Sequence, residues 1–243
     1  MAVSEEIRRY WDEDAATYDD APQHRPRDPL VVAAWTAALA RLLPPSPSSV
    51  LDCGAGTGFL SLIAARLGHR VTALDLSAGM LDRLRRAAES EGLAIDVRTG
   101  SADRPPSGFD AVMERHVLWT LPDPAAALAA WRDAAPGGRL VLVESLWGAV
   151  EPLGRLRAPV RRGLRRLRGA PPEHHASYPP ELRRQLPLGT GTPPERLVEL
   201  ARAAGWRAPS VERLRDVEWA ERRALPLPER LVGLAPRLAI VAG

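Results

Sequence analysis

The stretch "DCGAGTG", residues 52–58, places glycine at positions 54, 56 and 58. Glycine takes positive φ freely and lets the backbone approach a ligand closely. Asp52 precedes the first glycine, and Asp75 closes the next apolar run, "VTALD". A carboxylate there can accept hydrogen bonds from both hydroxyls of a ribose. The run is not a phosphate-gripping loop, because it lacks the Gly-Lys-Ser/Thr ending and the chain holds no lysine at all. It is not the dinucleotide fingerprint G-x-G-x-x-G either: the third glycine comes one residue early, and Phe59 stands where that fingerprint needs glycine. Alone, these glycines make a tight strand-to-helix turn. With Asp52 and Asp75 beside them, they suit an adenosine without phosphates.

A second candidate for chemistry is His116 in "ERHVLW". Histidine titrates near neutral pH, so it suits a general base or an orienter of a hydroxyl or amine. The alternative is a histidine that fixes a loop by hydrogen bonds. His24 is a weaker candidate, and His174 and His175 read as surface residues. Tyr10, Trp11, Tyr18 and Trp119 are aromatic groups near the expected mouth. Trp11 reads as core; Tyr18 reads as core or as a lid contact; Trp119 reads as core or as a platform for a planar ligand. The single cysteine, Cys53, excludes an internal disulfide and a cysteine-rich zinc site, and reads as a small buried side chain.

The elements that must position these residues alternate regularly. A helix is expected over residues 4–20, with Ile7, Tyr10, Trp11, Ala15 and Tyr18 on one stripe. Asp28-Pro29 opens a second helix running to Leu43. Strands are expected at 50–53, 70–74, 94–98, 109–114 and 139–144, with helices at 59–67, 78–91 and 124–135 between them. "TPPERLVELARAAGW" reads as a helix with a Thr192–Glu195 capping box, Pro193 first in the helix and Gly205 ending it. Residues 211–214 and 238–241 read as closing strands. The fold class is therefore α/β: a doubly wound, Rossmann-like, seven-stranded, mostly parallel sheet with helices on both faces. The expected organisation is one domain: a helical lid at 1–45, a cofactor-binding core at 46–145, a cap at 146–190 after strand five, and the last helix and closing strands at 191–243.

Composition narrows the class further. The 243 residues are 45% hydrophobic, enough for a sizeable core, and no run approaches a membrane helix. The opening "MAVSEEIRRYWDED" is acidic, so a cytoplasmic location is expected. All 33 basic residues are arginines, and the net charge is +3. The stretch "LGRLRAPVRRGLRRLRG" carries seven of them. Its Leu153, Leu156, Val160, Leu164 and Leu167 recur every three or four residues, and aromatic interleaving is missing. It reads as a helix packing over the sheet, which disfavours nucleic acid as a partner.

The motifs "VLDCGAGTG", "VTALDLSAGML" and "GFDAVMERHVLWTLPDPAAALAAWRDAAPGGRLVLVE", with the late "TPPERLVELARAAGW", resemble class I S-adenosylmethionine-dependent methyltransferases. The opening "YWDEDAATYDD" is similar to the ubiquinone-biosynthesis-like, small-molecule branch. The resemblance implies S-adenosyl-L-methionine as cofactor and S-adenosyl-L-homocysteine as product. It implies that Asp52, Gly54, Ala55, Gly56 and the backbone at Arg115 surround the methionine part. Asp75 would hold the ribose, with Leu76 and Met80 against adenine. Ser101, Ala102 and Asp103 would face the adenine amino group, Ser101 standing where the family has a carboxylate. Tyr18 and Arg27 would close over the cofactor.

An activated sulfonium needs little acid–base machinery, so no metal is expected and His116 is the one catalytic candidate. Tyr18, His116, Trp119 and Tyr178 are the expected acceptor contacts, with the cap and its "LPLGTG" loop setting specificity. The expected activity is methyl transfer to N or O of a small organic acceptor in secondary metabolism, by a monomer or homodimer. An RNA or protein methyltransferase, an NAD-dependent oxidoreductase and a non-catalytic cofactor-binding protein are the rivals.

Overall fold

The computed structural model describes residues 2–21, 23–145, 178, 180–232 and 235–243, with 159–160, 163–164 and 166–167. His174, His175 and most of the arginine-rich stretch lie outside the described residues.

Seven strands form one sheet in the order β3-β2-β1-β4-β5-β7-β6. They are β1 Ser49–Cys53, β2 Arg70–Asp75, β3 Ile95–Thr99, β4 Ala111–Arg115, β5 Arg139–Ser145, β6 Ser210–Arg213 and β7 Arg237–Ala242. The first five run parallel, and β7 is antiparallel to both β5 and β6. The inner strands are near-continuous apolar runs because both of their faces are covered. Val50, Met113, Val141 and Val143 face α2 (Pro29–Leu42), α3 (Phe59–Arg66) and α8 (Arg215–Ala224). Leu51, Cys53, Val112, Leu140 and Leu142 face α5 (Pro124–Ala134) and α7 (Pro194–Ala203). Each fully buried leucine-sized side chain contributes about 1.5–3 kcal/mol by leaving water.

The other helices are α1 Ala2–Asp14, α4 Ala78–Ser90, α6 Pro180–Gln185 and α9 Leu227–Val232. Caps place several starts. Asp28 accepts from the Leu30 and Val31 N–H groups ahead of Pro29, and Asp123 accepts from the Ala126 N–H ahead of Pro124. Three buried tryptophans find acceptors for their indole N–H. Trp131 donates to the Ala102 carbonyl at 2.6 Å, Trp206 to the Leu128 carbonyl at 3.0 Å, and Trp35 to Glu221 Oε1 at 3.2 Å. The first of these pins the loop after β3.

Four expectations are corrected. The first helix ends at Asp14, and Tyr18–Asp20 form a separate 3-10 turn. The break lets Asp19 turn inward, where it has partners that two more helical turns would deny it. The capping box is absent: Pro193 is the N-cap, Pro194 the first helical residue, and no side chain caps. Thr192, one residue too early to cap, is buried and turns its hydroxyl towards Glu144 at 3.5 Å. The charged α8 and the short α9 are not expected from the sequence. Most residues of α8 are charged, and it is held by its burial against α2 and by ion pairs such as Arg41–Asp216 at 2.8 Å. The expected apolar stripe on the arginine-rich segment is not uniformly covered: Val160 is 54% and Leu167 85% exposed, Leu164 is half-buried, and Leu153 and Leu156 lie outside the described residues. Leucine spacing alone does not bury Val160 and Leu167.

The glycine loop is built by close approach. The N–H groups of Gly54 and Ala55 both donate to the Leu74 carbonyl, at 2.7 and 3.0 Å. Gly54 has φ +68°, and a Cβ there would lie 2.3 Å from Val117 Cγ2. Gly54→Ala should therefore lose about 1–3 kcal/mol by overpacking, beyond about 1–2 kcal/mol of left-handed strain. Urea unfolding checks this, and Val117→Ala in the same chain should recover the overpacking part. Full stability in the single variant would show that the loop relaxes.

Candidate active site

The loops at the carboxyl ends of β1 to β4 converge, as ligand sites in such sheets do. Asp75 ends β2, and its two oxygens face different loops. Oδ2 accepts from the Gly56 N–H at 2.8 Å, and Oδ1 accepts from the Ser77 N–H at 2.8 Å. The carboxylate therefore holds the glycine loop itself, a role the sequence did not disclose. A carboxylate oxygen has two acceptor positions, so each remains able to take a further hydroxyl. Burial pushes the Asp75 pKa up, and its backbone donors oppose that shift. Around it, Leu76 is half-buried, and Met80 is buried with its N–H accepted by Ser77 Oγ at 3.1 Å. Ser101 is half-buried and Ala102 buried, while Asp103 is exposed and 3.7 Å from Arg104.

Whether the loop fits an adenosine-bearing cofactor is tested by its open side. A Cβ added to Gly56 would meet nothing within 4 Å, although the residue has φ +55°. The loop thus presents bare backbone to open space beside the Asp75 carboxylate, and the residues present fit the group.

The N-terminal segment is latched onto this loop. Asp19 is 6% exposed; its Oδ1 accepts from Thr57 Oγ1 in the glycine loop at 2.6 Å, and its Oδ2 lies 3.4 Å from both Arg25 and Arg83. Asp12 Oδ1 accepts from Ser77 Oγ at 2.6 Å. Tyr18 stacks on His24 with ring centroids 4.0 Å apart, and His24 Nδ1 lies 2.7 Å from the Tyr18 carbonyl. Burial raises the Tyr18 pKa; Arg115 acts against that rise and Asp75 adds to it, so its phenol sits in the field of both. Arg27 is exposed and makes no hydrogen bond among the described residues. Arg25 engages the core in its stead, through Asp19.

Trp119 and Tyr178 are brought together, with centroids 5.1 Å apart. Tyr178 is 3% exposed and packs on Tyr10 at 4.7 Å and Trp11 at 6.0 Å. One aromatic cluster therefore joins the N-terminal helix, the loop after β4 and the segment before α6.

The end of β4 carries three polar residues in a row. Glu114 is fully buried; its Oε2 accepts from the Val117 N–H at 2.7 Å and the Leu118 N–H at 3.3 Å. It thereby fixes the turn that follows. Burial pushes its pKa up to about 8 against those donors. Burial likewise pushes Asp52 up to about 7, against a 2.6 Å hydrogen bond from Ser61 Oγ. The Arg115 guanidinium lies 3.9 Å from the Phe59 ring centroid and donates to the Gln23 carbonyl at 2.8 Å.

His116 has φ +60°, a region that non-glycine residues seldom occupy. Its Nδ1 lies 3.1 Å from Glu144 Oε2 and its Nε2 3.2 Å from Ser145 Oγ. Arg237 donates to the same serine oxygen, and its Nε donates to Glu221 Oε2 at 2.9 Å. Burial, then Arg115, Arg237 and His24, pushes the His116 pKa well down, so the ring is neutral at neutral pH. Glu144, Ser145 and Arg237 were missed by the sequence reading. A signal was present: Glu144 and Ser145 close an otherwise apolar strand at its ligand end.

Residues 51–142 match the methyltransferase domain model. The chain is 34% identical over 186 residues to the demethylmenaquinone methyltransferase of Deinococcus radiodurans, covering 70% of this chain and 73% of the relative. It is 35% identical over 139 residues to the ubiquinone biosynthesis O-methyltransferase of Xanthomonas axonopodis pv. citri, covering 55% of each. It thus spans about half the length of that relative. The fold matches a putative S-adenosyl-L-methionine-dependent methyltransferase from Methanococcus maripaludis with a TM-score of 0.60, 15% identity, and coverage of 96% and 93%. The chain belongs to the class I S-adenosylmethionine-dependent methyltransferases, and S-adenosylmethionine is the cofactor of that family. Among the described residues, no helix is long and apolar enough to cross a membrane.

Two outcomes follow. Asp75→Ala should weaken S-adenosylhomocysteine binding by about 1.5–3 kcal/mol in calorimetry, the scale for losing a charged hydrogen-bond partner. Unchanged affinity would remove Asp75 from the site. The second concerns pH. Asp52 and Glu114 hold their protons in the fold to about 7 and 8, against 3.8 and 4.5 for the free groups. The native state binds more protons, so their stabilisation is present at low pH and is lost as pH rises through the folded pKa values. Melting temperatures measured from about pH 4 to 8 should fall on this account, and Asp52→Asn or Glu114→Gln should flatten the slope.

Proposed function

We propose that the chain transfers a methyl group from S-adenosylmethionine to an oxygen or nitrogen of a small, planar organic acceptor. The cofactor supplies an activated methyl on a sulfonium. The protein's own work is to hold, orient and dry the reacting pair. In this reading Gly54, Ala55, Gly56 and Asp75 hold the cofactor's methionine and ribose, and Leu76, Met80 and Ser101 flank the adenine. Asp52 and the backbone at Arg115 border the methionine end. Residues 1–45 act as lid and residues 146–190 as acceptor cap. Tyr18, Trp119 and Tyr178 border the acceptor.

The observation that carries the reading is His116. A neutral ring, held in a strained backbone at the ligand end of β4 and bonded on both nitrogens, is poised to receive a proton. The names of the relatives, a ubiquinone biosynthesis O-methyltransferase and a demethylmenaquinone methyltransferase, support a planar, quinone-related acceptor.

The test is transfer of tritium from methyl-tritiated S-adenosylmethionine into each of a panel of catechols, phenols and aromatic amines. Turnover with a planar hydroxyl or amine acceptor is expected. His116→Ala should lower kcat by roughly 100-fold, the usual scale for a proton-transfer group, with cofactor affinity little changed. Full turnover in that variant, or none with any acceptor while the cofactor binds, sinks the reading.

A further inference from the structure

Both ring nitrogens of His116 are occupied, so no acceptor proton reaches the ring directly. Nδ1 is closed by Glu144, which is 1% exposed, and Nε2 by Ser145, which is 8% exposed. We propose that Ser145 Oγ is the group that meets the acceptor's O–H or N–H, and that Glu144 is the positioning residue that decides whether His116 Nε2 is open. This rests on the reading of His116 as the group that takes the proton.

The geometry at Ser145 supports the path. A hydroxyl has one proton and two lone pairs. Arg237, opposite Ser145 in the β5–β7 register, fills one lone pair. That aims the serine proton at Nε2 and leaves one lone pair for the acceptor. Arg237 cannot swing away freely, because Glu221 holds its Nε and is held in turn by Trp35.

Glu144 sets the tautomer. Ionised, it accepts from Nδ1–H, and Nε2 is bare. Protonated, it donates to Nδ1, so Nε2 carries the hydrogen and donates to Ser145, and the route is shut. The groups facing this pair are Glu114 and Arg115 on β4, Thr192 before α7, Arg237 on β7 and His24 from the lid. Burial, then Glu114, holds the Glu144 pKa well up, while Thr192 and Arg115 pull it down. The open form is therefore favoured by rising pH.

The step balances as follows. The acceptor heteroatom bonds to the methyl carbon, and the carbon–sulfur pair stays on sulfur. The acceptor proton passes to Ser145 Oγ, whose own proton passes to His116 Nε2. The positive charge lost by sulfur appears on the imidazolium beside Glu144, which then releases its proton to water.

The first test needs no acceptor. Long-range proton–nitrogen spectra of histidine-labelled protein, saturated with S-adenosylhomocysteine, report the His116 tautomer. Wild type should change from Nε2–H to Nδ1–H as pH rises, and Glu144→Gln should not. A wild-type tautomer constant with pH, or the same change in Glu144→Gln, overturns the proposal. The second uses the acceptor found in the panel. Wild-type kcat should rise with pH; Glu144→Gln should lose that acid limb, and Ser145→Ala should lower kcat at least about ten-fold with S-adenosylhomocysteine affinity unchanged. Ser145→Thr should restore most of it. Should Glu144→Gln fail to fold, Ser145→Ala decides: wild-type kcat there overturns the proposal. If His116→Ala alone is impaired, the proposal fails and the reading of the site stands. If His116→Ala is not impaired, both fail.

Discussion

The ligand end of the sheet depends on one carboxylate. Asp75 takes the Gly56 N–H on one oxygen and the Ser77 N–H on the other, each at 2.8 Å. Those two bonds tie the turn after β1 to the turn after β2. The tie requires glycine at position 54, because the backbone passes so close to Val117 that no Cβ fits. It also orients Ser77, whose hydroxyl accepts from Met80 N–H at the start of α4 and donates to Asp12 of the first helix. A buried anion is tolerable only when hydrogen-bonded. Here the donors that make it tolerable are the loops it organises.

The N-terminal segment follows the same rule. Asp19 is buried, and it is satisfied by Thr57 from the glycine loop together with Arg25 and Arg83. Asp12 does the same at the second loop. Two acids from one short segment therefore register it against the two turns that Asp75 joins. The salt bridges of Asp19 are long, but the Thr57 bond is short and shielded, and a shielded hydrogen bond to a charge is worth about 1.5–3 kcal/mol. The surface pairs elsewhere on the chain are worth little by comparison.

Much of this was legible in the sequence. Strand–helix alternation identified the sheet, and the spacing of Gly54, Gly56, Asp75 and His116 put them at one end of it, because parallel strands present their carboxyl ends to the ligand. What stayed hidden depends on pairings across long stretches of chain. Arg237 meets Ser145 only because β7 inserts antiparallel between β5 and β6, and local pattern carries no information about that register. Asp19 meets Thr57 only because the first helix stops at Asp14. Thr192 reads as a helix cap until the buried Glu144 is seen to need a donor. The helix at 215–224 was missed because its ion pairs and its packing on α2 come from elsewhere in the chain.

The acids at the ends of the central strands explain why strain at His116 can persist. A φ of +60° costs a non-glycine residue about 1–2 kcal/mol. Glu114 fixes the two backbone N–H groups just beyond it, at Val117 and Leu118, so the chain cannot relax forward. The His116 N–H is bonded to the Val143 carbonyl, so it cannot relax backward. Glu144 and Ser145 then hold the ring. These contacts come from two adjacent strands whose register the whole apolar core maintains. Burial makes each carboxylate expensive to ionise, and the same burial gives each of its hydrogen bonds its strength. In the proposed reading, stability is lost at the strand ends so that one neutral ring and its proton route are placed where a methyl acceptor arrives.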